Sequence, residues 1–268
     1  MKLSDYVASF LQGRGVRHVF GLTGGAVVHL FDSVARTPGM QAVFHHHEQA
    51  AAFAGEAYAK VVNGLGACFV TTGPGGMNAL TGLLAAWLDS IPCIFISGQA
   101  RRDHCSRGLP IRQLGTQEFD IISLVAHMTK YAVLVEDPKM IRFHLEKAAY
   151  LATSGRPGPV WLDIPLNFQW SQIEPDALPS FAPGTASGAD SAPDEAMKKT
   201  LDLLGNAERP LVLAGYGIRL SHAEKEFENL VERLNLPFVS SWNACDILPT
   251  DHKRYLGRIG VAGQRGAN

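Results

Sequence analysis

Two short runs, G-A-C-F-V-T-T (66–72) and P-C-I-F-I-S-G (92–98), are apolar at almost every position before they end in small polar residues. A strand with one wet face alternates apolar and polar residues. One that is apolar throughout is buried on both faces, as in a parallel sheet covered by helices. Between the runs, M-N-A-L-T-G-L-L-A-A-W-L-D predicts the helix that a parallel crossover needs. The pair therefore restricts the chain to an α/β fold of parallel sheets with helices on both faces.

The alternation extends in both directions. Val7, Phe10 and Leu11 form a helical stripe, and G-V-R-H-V-F-G (15–21) is a short strand. A-V-V-H-L-F-D-S-V predicts a helix, Q-A-V-F-H a strand, and E-Q-A-A-A-F-A-G-E-A-Y-A-K (48–60) the next helix, so four parallel strands are expected by residue 98. Residues 101–117 are polar and rich in breakers, which predicts a long surface loop of the kind that often carries function. A helical stretch, the strand K-Y-A-V-L-V, a helix over 138–154 and the buried strand P-V-W-L-D-I-P follow. A first domain is expected over 1–170, and a linker rich in Pro, Ser, Gly and Ala over 171–193. Residues 194–268 start a second alternating unit (helix 194–205, strand P-L-V-L-A-G, helix 221–234, strand P-F-V-S-S) and read as a domain cut short after about two strands.

Charge excludes several partners. With a net charge of -1 over 268 residues and no basic cluster longer than Arg101-Arg102 or Lys198-Lys199, neither a nucleic-acid groove nor a polybasic membrane anchor is expected. No window has the length of a membrane span, and the first residues lack the apolar core of a signal peptide. The cysteines (Cys68, Cys93, Cys105, Cys245) form no C-x-x-C pair, so a reducing, cytoplasmic setting is expected.

Three signals converge at the carboxyl ends of the predicted strands, where parallel sheets bind ligands. G-P-G-G-M-N (73–78) follows a strand and opens a helix at Met77; it reads as a ligand-approaching loop or as a tight turn. G-L-T-G-G-A (21–26) is a second such loop. The third is H-H-H-E, where Glu48 stands in the first turn of an alanine-rich helix. A carboxylate there can simply complement the helix dipole. A metal site is disfavoured, because consecutive imidazoles on a strand point in alternating directions.

H-H-H-E-Q-A-A-A-F-A-G-E-A-Y-A, followed by V-T-T-G-P-G-G-M-N-A-L-T-G-L-L-A-A-W-L-D-S-I-P-C-I-F-I-S-G-Q, resembles the pyrimidine-binding domain of thiamine-diphosphate-dependent enzymes of the acetolactate synthase-like family. Their patterns are R-H-E-Q-x-A-A-x-A-A-x-G-Y-A and T-S-G-P-G-x-x-N. G-R-P-G-P-V-W-L-D-I-P resembles the family's end-of-domain signature, and G-R-I-G-V-A-G-Q-R-G-A-N resembles a segment of its Rossmann-like central domain.

The resemblance implies a thiamine-diphosphate-binding fold and a role for Glu48: hydrogen bonding to ring nitrogen N1′ of the cofactor, with a shared proton that favours the imino tautomer needed to deprotonate the thiazolium. It implies that Thr23, Gly24, Gly25, Gly73, Pro74 and Asn78 line the cofactor site. Gln117, in G-T-Q-E where relatives have A-F-Q-E, would lie near the substrate or be a solvated loop residue. Gly215, Gly217, Arg219, Gly260 and Gly263 match positions that hold FAD, although a plain strand-to-helix turn would look the same. The implied reaction is carboligation or decarboxylation of a 2-oxo acid, with pyruvate as donor. The family's third domain, with its G-D-G…N pattern for diphosphate and Mg²⁺, has no counterpart in these residues, so this chain alone is expected to be inactive and the enzyme to be a homodimer or homotetramer. Alternatives are one subunit of a divided 2-oxo acid decarboxylase and a non-catalytic nucleotide-binding module.

Overall fold

The computed structural model describes residues 1–106, 108–184 and 194–268. The chain folds into two units, Met1–Thr185 and Ala186–Asn268, each packed on itself. In the first unit the order is α1 (Leu3–Gly13), β1 (His18–Gly21), α2 (Val28–Arg36), β2 (Gln41–Phe44), α3 (Glu48–Val62) and β3 (Gly66–Val70). Then come α4 (Pro74–Asn78), α5 (Leu80–Leu88), β4 (Cys93–Gln99), α6 (Ile121–Val125), β5 (Ala132–Leu134), α7 (Ile141–Thr153), β6 (Val160–Pro165) and α8 (Leu166–Gln169).

The six strands form one sheet in the order β2-β1-β3-β4-β6-β5. Every pairing is parallel. Alternate residues of the central strands serve opposite faces. Ala67, Phe69, Ile94, Ile96 and Leu162 pack with Leu3, Val7 and Leu11 of α1, Leu30 and Val34 of α2, and Ile141 and Leu145 of α7. Cys68, Phe95 and Trp161 turn to the other face, where α3 and α5 bury Ala51, Ala52, Leu83 and Ala86. Phe95 and Trp161 stand opposite each other in the β4–β6 register, with rings stacked at 5.4 Å. Fully buried β3, β4 and β6 are what continuous apolar runs require.

Residues 171–184 depart from the expected linker: Ile173 is buried, and Leu178 packs against the core. Met1 donates its amino group to the Ile173 carbonyl at 2.7 Å, and Phe181 donates its N–H to Glu146 Oε2 at 2.7 Å while its ring meets Phe143 and Tyr150. Three apolar side chains spaced through the proline-rich stretch are enough to seat it on the first unit. The rest of that linker, 185–193, lies outside the described residues.

In the second unit α9 (Asp194–Gly205) precedes β7 (Val212–Ala214), α10 (Gly217–Leu220), α11 (Glu224–Arg233), β8 (Phe238–Ser240) and β9 (Tyr255–Arg258). The sheet is parallel and ordered β7-β8-β9, so it holds three strands where about two are expected. Phe227, Val231 and Phe238 form its core with Ala214 and Ile247. No helix among the described residues is long and apolar enough to cross a membrane.

Candidate active site

The chain leaves β1 toward β2 on one side and β3 toward β4 on the other. Their carboxyl ends therefore flank a topological switch point, where an open parallel sheet offers a crevice. Glu48 enters here as the first residue of α3. His47 precedes it in extended conformation and caps the helix, its Nδ1 accepting the Gln49 N–H at 3.1 Å. The three histidines lie beyond the end of β2 rather than on it. No group of three His, Cys, Asp or Glu that could hold a metal occurs among the described residues.

The alanines explain how a carboxylate comes to lie against the sheet. Ala51 and Ala52 are fully buried, and a Cβ added at Gly55 would touch the Ala67 carbonyl oxygen at 3.5 Å. A Cβ at Gly82 of α5 would come to 2.5 Å from that of Ala52. Small side chains thus bring α3 close to β3 and α5, and leave Glu48 only 7% exposed. Burial, and after it the Glu48 charge, push the Cys68 thiol up, which places the carboxylate beside an otherwise apolar strand.

Glu48 Oε2 accepts a hydrogen bond from Asn78 Nδ2 at 2.9 Å, and among the described residues none occupies Oε1. Asn78 ends α4, which begins at Pro74 and not at Met77 as the glycines suggest. Gly73 turns the chain with φ 60°, Pro74 takes the first helical position, and Met77 donates its N–H to the Gly73 carbonyl at 3.0 Å. Gly75 is a close-approach residue: a Cβ there would lie 3.2 Å from Glu48 Oε1 and 2.6 Å from Thr71 Cγ2.

The long loop closes the other side. A Cβ at Gly73 would overlap the Gln117 carbonyl oxygen, and Gln117 itself has φ 57°, unusual for a residue with a side chain. Gly73, Pro74, Met77, Asn78, Gln113 and Gln117 line a cavity of about 520 Å³. Thr23, Gly24 and Gly25 lie in the loop after β1, where a Cβ at Gly24 would come to 2.5 Å from Thr71 Cβ and Ala26 N–H reaches Thr71 Oγ1 at 3.4 Å. The structure joins Glu48, Asn78, Gly73, Pro74 and Gln117 directly. The Thr23–Gly25 loop meets them through Thr71.

Both units match models of one family: residues 1–124 the thiamine pyrophosphate enzyme N-terminal TPP binding domain, residues 197–268 the thiamine pyrophosphate enzyme central domain. The chain belongs to the thiamine pyrophosphate enzyme family. It is 34% identical over 272 residues to an acetolactate synthase large subunit from Haemophilus influenzae, covering 99% of this chain and 46% of that protein. With the Lactococcus lactis large subunit the identity is 34% over 265 residues, covering 99% and 45%. With the isozyme 3 large subunit of Escherichia coli it is 33% over 274 residues, covering 99% and 46%. The chain thus spans about half the length of these relatives.

In the central-domain unit of this family member, Gly215 and Gly217 shape an open turn after β7, with nothing within 4 Å of an added Cβ. Arg219 pairs with Asp246 Oδ2 at 3.1 Å. Gly260, at φ 123°, exchanges hydrogen bonds with the Asn268 side chain at 3.0 and 3.1 Å. Gly263 packs where a Cβ would sit 2.7 Å from the Arg258 carbonyl oxygen.

Sequence reasoning passed over the polar residues buried behind the site. Asp163, inside the apolar run of β6, is 2% exposed and accepts hydrogen bonds from Ser97 Oγ at 2.6 Å and Gln99 Nε2 at 2.8 Å. Burial pushes its carboxyl up to about 7, with the two hydrogen bonds working against that rise. A charged residue in a run that must be buried on both faces is the signal that finds it.

Proposed function

We propose that the protein is the part of a thiamine-diphosphate-dependent enzyme that binds the cofactor's pyrimidine, and that the whole enzyme carries out carboligation or decarboxylation of a 2-oxo acid, with pyruvate as donor. The observation that carries this reading is Glu48: a carboxylate almost out of water at the start of α3, one oxygen held by Asn78 and the other without a hydrogen-bond partner among the described residues. The surroundings suit a flat heteroaromatic ring, since Gly75 keeps a Cβ away from Glu48 Oε1, and Gly24 and Gly73 let their loops close on Thr71 and Gln117. When bound, thiamine diphosphate supplies a thiazolium carbon that adds to the substrate ketone and takes up the electron pair released with carbon dioxide.

The residues of this chain have distinct tasks in that reading. Glu48 Oε1 holds or releases the proton shared with the pyrimidine nitrogen, and Asn78 keeps the carboxylate turned toward the cleft. Ala51, Ala52 and Cys68 exclude water from behind it. Gly73 and Pro74 form one wall, Thr23, Gly24 and Gly25 another, and Gln117 faces the substrate. Diphosphate and Mg²⁺ are assigned to a further domain, in keeping with relatives about twice as long as this chain. FAD is assigned to the turn at Gly215 and Gly217 with Gly260 and Gly263, where Arg219, paired with Asp246, would brace the site.

A homodimer or homotetramer is supported by the outer faces of α3 and α5, which expose Phe53, Val61, Leu84 and Leu88. A cytoplasmic setting is supported by four free thiols. The decisive test is carbon dioxide release from pyruvate by the full-length protein with thiamine diphosphate and Mg²⁺. Glu48→Gln keeps the shape without the proton relay and should lower kcat by about 10²-fold or more. Unchanged turnover in that variant would remove the proposed role.

A further inference from the structure

Behind the cleft lies a chain of buried polar groups that the proposed chemistry does not use. Trp161 Nε1 donates to Ser97 Oγ at 2.8 Å, and Ser97 donates to Asp163 Oδ1. Gln99, 4% exposed, connects Asp163 to the loop. Its Nε2 donates both hydrogens, to Asp163 Oδ2 at 2.8 Å and to the Phe119 carbonyl at 2.9 Å. Its Oε1 accepts from Thr72 Oγ1 at 2.8 Å and from the Ala100 N–H at 2.9 Å. All four hydrogen-bonding positions of the amide are taken, two acceptors facing its nitrogen and two donors facing its oxygen, so it fits in one orientation only.

The segment held this way has little packing to define it. Glu118 and Phe119 border the 520 Å³ cleft in front and also a cavity of about 280 Å³ behind, whose lining includes Gln99 and Asp163. A wall with space on both sides is placed by its hydrogen bonds and not by close packing. The strain is stored there too, in Gln117 at φ 57° with its carbonyl over Gly73.

We propose that Asp163, acting through Gln99, is a positioning device that sets the Gln117–Phe119 wall of the substrate cleft without touching cofactor or substrate. The proposal rests on the reading of Gln117 as substrate-facing and extends it to residues that act through another. Asp163 demands a donor from Gln99, which fixes the amide, and the amide ties the Phe119 carbonyl to β4. The loop's own bonds, Ile121 N–H to the Phe119 carbonyl at 3.0 Å and Leu114 N–H to Glu118 Oε2 at 3.0 Å, shape the wall, and the clip anchors it to the sheet. Thr72 supports the same clip, its single hydroxyl hydrogen lying between Gln99 Oε1 and the Gln117 carbonyl, the latter at 3.3 Å.

The test compares Gln99→Glu, Thr72→Val and Thr72→Ser in the full-length enzyme. Glutamate at 99 turns an oxygen toward both Asp163 and Phe119, and can donate only when the two carboxyls share a proton. Its kcat/KM for pyruvate should fall about tenfold near pH 8 and recover in part near pH 6, while thiamine diphosphate affinity stays within about twofold. Cys105, Arg112, Glu118 and Asp120 border the same cavity and are unchanged in every variant, so a pH response confined to Gln99→Glu belongs to the new pair. Thr72→Val should show the same direction at about fivefold, and Thr72→Ser, which keeps the hydroxyl, should restore the wild-type value.

Amide hydrogen exchange gives a readout independent of turnover. Residues 113–120 should exchange faster in Gln99→Glu and Thr72→Val, while β3 and β4 remain protected. Unchanged exchange in 113–120, or equal losses of cofactor affinity and kcat/KM, would overturn the positioning role. If the wild type turns over no 2-oxo acid, the reaction reading fails alone, and exchange still decides the clip.

Discussion

Asp163 keeps a carboxyl in the interior under the 101–120 loop, and Asp163→Asn isolates what that ionisation costs. Burial pushes the folded-state value up to about 7 from the ordinary 3.8. A carboxyl raised in this way binds its proton more tightly in the folded state, so its contribution to stability is complete below the unfolded value and is lost as pH rises through about 7. The full loss is about 4 kcal/mol, of which about 3 falls between pH 5 and pH 8. Asparagine does not titrate. It also gives Gln99 the wrong partner on one side, which lowers the variant by a roughly constant 1–2 kcal/mol at every pH. The informative quantity is therefore the change with pH in the stability difference between variant and wild type. For a unit spanning Met1–Thr185, about 3 kcal/mol corresponds to a relative rise in Tm of roughly 6–12 °C for the variant from pH 5 to pH 8, levelling off above that. Thermal unfolding followed by circular dichroism across this range measures it. A difference that stays flat between pH 5 and pH 8 would mean that Asp163 keeps one charge state throughout, and the reasoning from burial would be wrong.

Gly73→Ala should destabilise the first unit by about 2 kcal/mol or more, because it combines a left-handed backbone with overlap on the Gln117 carbonyl. Urea denaturation reads this, and a cost below about 0.5 kcal/mol would show that the loop gives way freely. Asn78→Leu removes the donor to Glu48 Oε2 and should weaken thiamine diphosphate binding about tenfold by calorimetry; unchanged affinity would mean that Glu48 is oriented by other contacts. Phe95→Ala opens a cavity against Trp161 and should lower stability by about 3–5 kcal/mol in the same denaturation assay.

The central strands were legible because burial on both faces leaves a mark at every position, as in C-F-V and C-I-F-I. Strand β9 was not. Tyr255-Leu256-Gly257-Arg258 carries a glycine and an arginine, and it pairs with β8 through an irregular register that only the folded partner reveals. Glu48 was legible as the acid at a strand-to-helix junction. The cap on its helix was not, since His47 fills a position usually held by Ser, Thr, Asp or Asn.

P-G-G-M-N misled in an instructive way. Glycines disfavour helix on propensity alone, so the expected helix began at Met77. Here proximity overrides propensity: a side chain at 75 would crowd Glu48 and Thr71, so the helix that begins at Pro74 carries a glycine at 75 because nothing larger fits there. The Asp163–Gln99 clip stayed hidden for a different reason. Its bonds join residues 64 and 20 positions apart, and local periodicity carries no information on such separations. What sequence does carry is the anomaly of an aspartate in a strand that must be dry. In a low-dielectric interior that anomaly demands a donor. The donor found, Gln99, has both remaining faces committed to Thr72, Ala100 and Phe119, so the cost of burying one carboxyl is tied to the placement of the wall beside Gln117.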